Sequence, residues 1–164
     1  MHLIDLYKSL ETHKVRYLLC GGLAINMYGV PRATADMDVI LDLESENISN
    51  FQNAISEFGY KNLLPISLLE LADENKRKNM IQERNLIAFS FYSTIYQFVT
   101  LDILIDLPIT FEDLWQRKEI RKTNFTSITL VSVEDLVALK TYSNREQDIL
   151  DINSLKKIFP EKFL

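Results

Sequence analysis

Residues 98–105 read Phe-Val-Thr-Leu-Asp-Ile-Leu-Ile, a run that would be an ordinary core strand but for one carboxylate. A strand this apolar is buried on both faces, and an unpaired carboxylate inside it is expensive. Any fold for this chain must therefore bring Asp102 a cation, a hydrogen-bond partner or water. A second apolar run, residues 37–43, has Asp36 and Asp38 at its start. Side chains alternate along a strand, so Asp36 and Asp38 share one face while Met37 and Val39 turn to the other. Two carboxylates on one face repel unless solvated or bridged by a cation, and alone the pair also fits a solvated strand end. With Asp102 on a neighbouring strand, the three would form a site for Mg²⁺, which takes oxygen ligands and keeps several waters. Asp106 shares the face of Asp102 by the same period, but it stands at the strand's end near Pro108, where a solvated role is expected.

Oxygen is the ligand type this chain has to offer. Cys20 is its one cysteine and His2 and His13 are its two histidines, which argues against both an internal disulfide and a soft-ligand zinc site. The 164 residues, 47% of them hydrophobic, fit a single globular domain, 1–164, with residues 132–164 forming C-terminal helices. The longest apolar stretch, 98–107, is broken by Thr100, Asp102 and Asp106, and residues 1–10 lack the pattern of a secretory signal, so a cytoplasmic protein is expected. A formal charge of −5 argues against nucleic-acid binding by bulk electrostatics while leaving room for a local basic patch.

Hydrophobic spacing predicts an amphipathic helix over the first dozen residues, a buried strand over 15–20, and a helix over 23–28 stopped by Gly29. It continues with a strand over 37–43, a helix over 45–58 ended by Gly59, and a polar helix across 68–84. Runs 86–92 and 97–105, parted by Ser93 and Thr94, read as a hairpin, followed by a short helix over 111–119 and a strand over 127–131. Ser132-Val-Glu-Asp135 opens one terminal helix with a capping-box-like start, and the next, 144–158, carries Ile149, Ile152 and Leu155 as its apolar stripe. The order implies one α/β (α+β) domain with a mixed, partly antiparallel sheet flanked by helices, in preference to a doubly wound parallel sheet.

The strand over 15–20 runs into Gly21-Gly22 and then a helix, an arrangement suited to phosphate but also common as a simple turn. Cys20-Gly21-Gly22, thirteen residues, then Asp36-Met-Asp38-Val-Ile resembles the signature of the DNA polymerase beta-like nucleotidyltransferase superfamily. Gly29-Val-Pro-Arg-Ala-Thr-Ala-Asp-Met-Asp38 and the later Ser132-Val-Glu-Asp-Leu-Val-Ala-Leu-Lys140 and Arg145-Glu-Gln-Asp148-Ile-Leu-Asp151 are similar to a minimal bacterial branch that includes abortive-infection toxin nucleotidyltransferases. The likeness spans about residues 15–43 and 98–155.

The resemblance implies the nucleotidyltransferase fold and a reaction that moves an NMP group from an NTP to a hydroxyl. Asp36, Asp38 and Asp102 would be catalytic and would hold Mg²⁺, two ions in all, with Asp102 helping to deprotonate the acceptor. Gly21 and Gly22 would face the triphosphate. Arg32, Thr34 and Lys140 are further nucleotide-binding candidates. Arg32 fits equally an ion pair with a surface acid, and Lys140 a cation favoured at a helix end. Arg145 and Asp148 are spaced as a helical ion pair and are placed outside the site. The chain lacks the Ser that many members of the superfamily carry at the glycine pair, so backbone groups would make that phosphate contact.

The acceptor stays open between an RNA end, a protein hydroxyl and a small molecule. Lys76-Arg77-Lys78 with Arg84, Arg117-Lys118 and Arg121-Lys122 would guide RNA if they converge beside the carboxylates, and otherwise are solvated faces. RNA predicts a basic pocket, whereas an amino-sugar acceptor predicts an acidic one. A toxin, or a component of a two-component defence module with a partner protein, is one biological setting. A non-catalytic binding or neutralising partner is the rival reading, separated by whether Asp102 reaches Asp36 and Asp38.

Overall fold

A computed structural model of the chain describes residues 2–96 and 99–164. Its strands are β1 (Tyr17–Leu19), β2 (Met37–Leu41), β3 (Tyr60–Asn62), β4 (Ala88–Ser93), β5 (Thr100–Leu104), β6 (Glu119–Lys122) and β7 (Ser127–Leu130). They form one sheet in the order β3-β4-β5-β2-β1-β7-β6. Pairing is parallel for β2 with β5 and for β1 with β7, and antiparallel for the other neighbours. The sheet is therefore mixed, as expected, and the β4–β5 hairpin anticipated from residues 86–105 is present. Gln97 and Phe98, the expected start of its second strand, lie outside the described residues.

Alternation along β2 and β5 sorts the two faces. Met37, Val39 and Leu41 of β2 and Leu101 and Ile103 of β5 are buried. On the α-helical side, α1 (His2–Thr12) packs against α3 (Ser45–Ser56) and β7, contributing Leu6, Tyr7 and Leu10 to the core beside Ile48, Phe51 and Ile55. Asp38 and Asp102 point the opposite way, into a cavity whose far wall is α6 (Val133–Ser143). The helix α7 (Glu146–Ile158) packs against α6.

The observed elements correct the sequence reading at four places. The helix expected over 68–84 is broken at Asp73 into a 3-10 turn, Leu68–Ala72, and α4 (Glu74–Arg84). The Asp73 carboxylate accepts the backbone N–H groups of Asn75 and Lys76, so this side chain ends one element and starts the next. The helix expected over 111–119 stops early as α5 (Phe111–Gln116), and Glu119–Lys122 is an edge strand on β7. Three of its four residues are charged, a composition that protects an edge and hides a strand from pattern reading. The three-residue β3 was likewise not anticipated.

The fourth correction concerns α7. Of its expected stripe Leu155 is buried and Ile152 packs partly buried against the core, but Ile149 is half exposed, and the other buried positions are the carboxylates Asp148 and Asp151. The cause is an ammonium group waiting on α6, described below.

One side chain closes the base of the central strands. Asn47, buried on α3, accepts the Arg16 N–H at 2.8 Å and donates to the carbonyls of Arg16 at 3.0 Å and Asp42 at 2.8 Å. It thereby satisfies backbone groups where β1 begins and β2 ends. Arg16 itself pairs with Asp42 at 2.5 Å and Glu112 at 2.7 Å and lies over the Trp115 ring, fastening α5 to the same corner. Replacing Asn47 by Ala strands these groups at a cost of about 1–3 kcal/mol. A urea unfolding midpoint equal to wild type would show that water takes over the three bonds.

Candidate active site

The chain leaves β1 through Cys20, whose N–H donates to the Asp38 carbonyl at 2.9 Å, and turns at Gly21 into α2 (Gly21–Met27). Gly21 has φ of +62°, and a Cβ there would stand 1.8 Å from Asp38 Oδ2. Both facts exclude a side chain: the backbone must bend left-handed, and Asp38 occupies the space. A Cβ on Gly22 would meet Thr34 Oγ1 at 2.6 Å and Arg32 Cζ at 3.3 Å. The glycine pair thus lets one carboxylate, one hydroxyl and one guanidinium close directly onto backbone.

The parallel pairing of β2 with β5 sets Asp38 opposite Asp102 on the same face. Asp102 Oδ1 is buried with no hydrogen-bond partner among the described residues. Burial raises the pKa of Asp38, the charges of Asp102 and Asp36 raise it further, and Arg145 and the Gly22 backbone pull against them. An orphaned carboxylate oxygen beside a carboxylate that resists ionising is a donor set suited to a hard cation. Asp36 stands just before β2, exposed, and accepts the Thr100 hydroxyl at 2.7 Å. Among the described residues no three carboxylate, histidine or cysteine side chains close into a ready metal group, so Asp38 and Asp102 are the pair brought together and Asp36 stands beside them.

The pair opens into a cavity of about 650 Å³. Gly21 and Asp106 also line it, with Leu107, Pro108, Leu136 and Leu139 as an apolar wall and Tyr142 and Arg145 at the polar side. Tyr142 donates to both Asp106 oxygens, at 3.1 and 3.2 Å. None of Lys76, Arg77, Lys78, Arg84, Arg117, Lys118, Arg121 or Lys122 lines it. Several are engaged locally: Lys78 with Glu74 at 2.6 Å, Arg117 with Asp135 through two bonds of 2.8 Å, and Lys118 over the Trp115 ring.

Behind the cavity lies a buried ionic cluster. Lys140 of α6, only 3% exposed, places Nζ 2.9 Å from Asp148 Oδ1 and 2.7 Å from Asp151 Oδ2. Asp151 also receives Arg32 at 2.7 Å and Gln147 at 3.0 Å. Asp148 receives Ser143 at 2.6 Å and Arg145 Nε at 2.9 Å. Burial by itself would raise the pKa of Asp148, but the bonds from Arg145, Ser143 and Lys140 hold it well below the usual carboxylate range. These positions revise the sequence reading. The partner of Arg32 is the buried Asp151, not a surface acid. The ammonium of Lys140 is committed to two carboxylates. Arg145 does pair with Asp148, as its spacing predicted, yet it also stands on the cavity wall with Asp38 and Asp102.

A mixed sheet presenting acidic residues from parallel neighbours beside a glycine turn is the layout that the likeness to nucleotidyltransferases implies, and comparison with known proteins shows the family. Residues 1–158 match the model of the DUF6036 family, described as nucleotidyltransferases of unknown function, and the chain belongs to that family. Among solved structures it is similar to the lincosamide antibiotic adenylyltransferase LnuA in its lincomycin-bound form, with TM-score 0.56, 16% identity, and 96% of this chain and 94% of that chain covered. It is similar also to ANT(2")-Ia in complex with adenylyl-2"-tobramycin, with TM-score 0.58, 10% identity and coverage of 95% and 86%. An antigenic nucleotidyltransferase-like protein from Paracoccidioides brasiliensis matches with TM-score 0.59, 15% identity and coverage of 96% and 75%. Comparison with curated protein sequences finds no match. Identities this low speak for the shared fold alone. Among the described residues no helix is long and apolar enough to cross a membrane.

The buried cluster has two measurable consequences. Lys140→Met removes the cation shared by two buried carboxylates, leaving Asp148 with Arg145 and Asp151 with Arg32, and is expected to cost up to about 3–5 kcal/mol in denaturant unfolding. The depressed Asp148 pKa adds stability that is complete above the ordinary value of 3.8 and is lost as pH falls toward the lower folded value. Asp148→Asn should therefore flatten the acid limb of a stability-against-pH curve, and an unchanged limb would assign acid unfolding to other groups.

Proposed function

We propose that this nucleotidyltransferase moves an NMP group from an NTP to a hydroxyl of a small, amine-bearing acceptor, with Mg²⁺ as cofactor. The observation that carries the acceptor class is the charge of the cavity. Its wall joins Asp38, Asp102 and Asp106 to an apolar surface, and of the two cations that also line it Lys140 is held by Asp148 and Asp151 and Arg145 by Asp148. Such a lining favours a compact molecule with both an amine and an apolar body. Transfer onto an RNA end, the chemistry a toxin of a two-component module would use, calls for an extended basic track leading to the carboxylates, and none of the basic clusters at 76–78, 84, 117–118 and 121–122 lines the cavity. The LnuA structure is lincomycin-bound and the ANT(2")-Ia structure is a complex with adenylyl-2"-tobramycin, which is consistent with a small-molecule acceptor.

Asp38 and Asp102, with Asp36 adjacent, would hold Mg²⁺, which when bound neutralises charge developing on the reacting phosphate. The backbone of Gly21 and Gly22, with Arg32 and Thr34 folded over Gly22, faces the triphosphate. The acceptor oxygen bonds to the α-phosphorus as the bond to the pyrophosphate leaving group breaks, and Asp102 takes the hydroxyl proton. The approach of Asp102 to Asp38, which a binding-only partner has no need of, supports catalysis over that rival.

The test is transfer of label from each α-labelled NTP, with and without Mg²⁺, to amino sugars, neutral sugars and RNA ends. Labelled amino sugars supports the proposal, labelled RNA overturns the acceptor class, and no Mg²⁺-dependent transfer to any acceptor overturns the reaction. Asp38→Asn should lower transfer by more than about a hundredfold, the scale of one lost transition-state charge contact. Its metal-free melting temperature should hold or rise. The raised Asp38 pKa means that the ionised form costs stability at neutral pH, and Asn removes that charge.

A further inference from the structure

Two cations line the cavity that holds Asp38 and Asp102, Lys140 and Arg145, and they are placed for different tasks. The Lys140 ammonium is buried and shared between Asp148 and Asp151. Arg145 is the reverse: its side chain is 73% exposed although its carboxylate partner is 1% exposed. The Asp148 carboxylate takes Arg145 Nε at 2.9 Å and Nη2 at 3.4 Å, along one edge of the guanidinium. Asp148 is in turn fixed by Lys140 at 2.9 Å and Ser143 at 2.6 Å. The remaining edge of Arg145, with Nη1, has no partner among the described residues.

A guanidinium gripped along one edge by a rigid buried carboxylate, with its other edge free at a cavity mouth, is pre-ordered to receive a second anion. A lysine in this place would lack the fork. The cavity needs such a group, because it joins Asp38, Asp102 and Asp106 to a polyanionic donor. We propose that Arg145 binds the triphosphate of the NTP through its free guanidinium edge, with Asp148 as the residue that positions it and Lys140 serving to hold Asp148. This rests on the nucleotidyltransferase reading of the same cavity and adds the residue that recognises the donor's phosphates.

The experiment is calorimetric binding of the preferred NTP, of the matching nucleoside and of inorganic tripolyphosphate to wild type, Arg145→Gln and Arg145→Lys, each with Mg²⁺. Asp148 keeps Lys140 and Ser143 in both variants, and a cooperative melt checks that they are folded. The expected result is that Arg145→Gln weakens NTP and tripolyphosphate by about 10- to 100-fold, the loss of a charge-assisted bond, and leaves the nucleoside unchanged. Arg145→Lys should fall between. Equal weakening of nucleoside and NTP would mean that Arg145 only supports the wall, and undiminished NTP binding would mean that it does not touch phosphate. Either overturns the proposal while leaving the reaction intact. Failure of wild type itself to bind any NTP overturns both together.

Discussion

The ammonium of Lys140 is the constraint around which the C-terminal half of the site is arranged. A buried lysine must find anions, and this one takes Asp148 and Asp151 from the same face of α7. That choice fixes the rotation of α7 against α6. It also decides what stands at the two ends of the cluster, since Asp151 reaches Arg32 beside the glycine turn and Asp148 reaches Arg145 at the cavity. One buried charge therefore connects the loop before β2 to the wall opposite it.

The central carboxylates were legible in the sequence because they violate a pattern. Asp102 interrupts an apolar strand, and Asp38 shares a face with Asp36 by simple alternation, so local order made all three candidates. The pair alone fitted a solvated strand end as well, and only the family resemblance joined the three into one site. The mixed sheet followed from the hairpin signal in the same way. What local order could not supply is the register of β2 on β5, a pairing of strands some sixty residues apart that sets Asp38 against Asp102 while Asp36 turns to Thr100. The roles of Arg32 and Lys140 were open for the same reason. Each depends on Asp151, which is distant from Arg32 in sequence and lies outside the apolar stripe expected for its helix.

The α7 stripe shows how an apolar-periodicity argument fails. Ile149, Ile152 and Leu155 have helical spacing, and so do Asp148, Asp151 and Leu155. Hydrophobicity prefers the first set, and it is right wherever the facing surface is apolar. Here the facing surface presents Lys140, and pairing a buried charge outweighs burying one more isoleucine. The signal was the lysine itself, placed among the buried Leu136, Val137 and Leu139. Edge strand β6 failed for the opposite reason: its charges are solvated, and its strand character comes only from β7.

Stability alone gives no reason for this cluster, because apolar residues of similar volume serve about as well as a buried ion pair. The same holds at the sheet, where two carboxylates face each other on adjacent strands and one is disfavoured in its charged form. Both are local departures from the best-packed structure, and both converge on one cavity. What an apolar replacement could not do is present a fixed guanidinium on one side of that cavity and an unpaired carboxylate oxygen, that of Asp102, on the other. The two costs become intelligible together once a cation and a phosphate chain are placed between them, because each then meets a charge of the opposite sign.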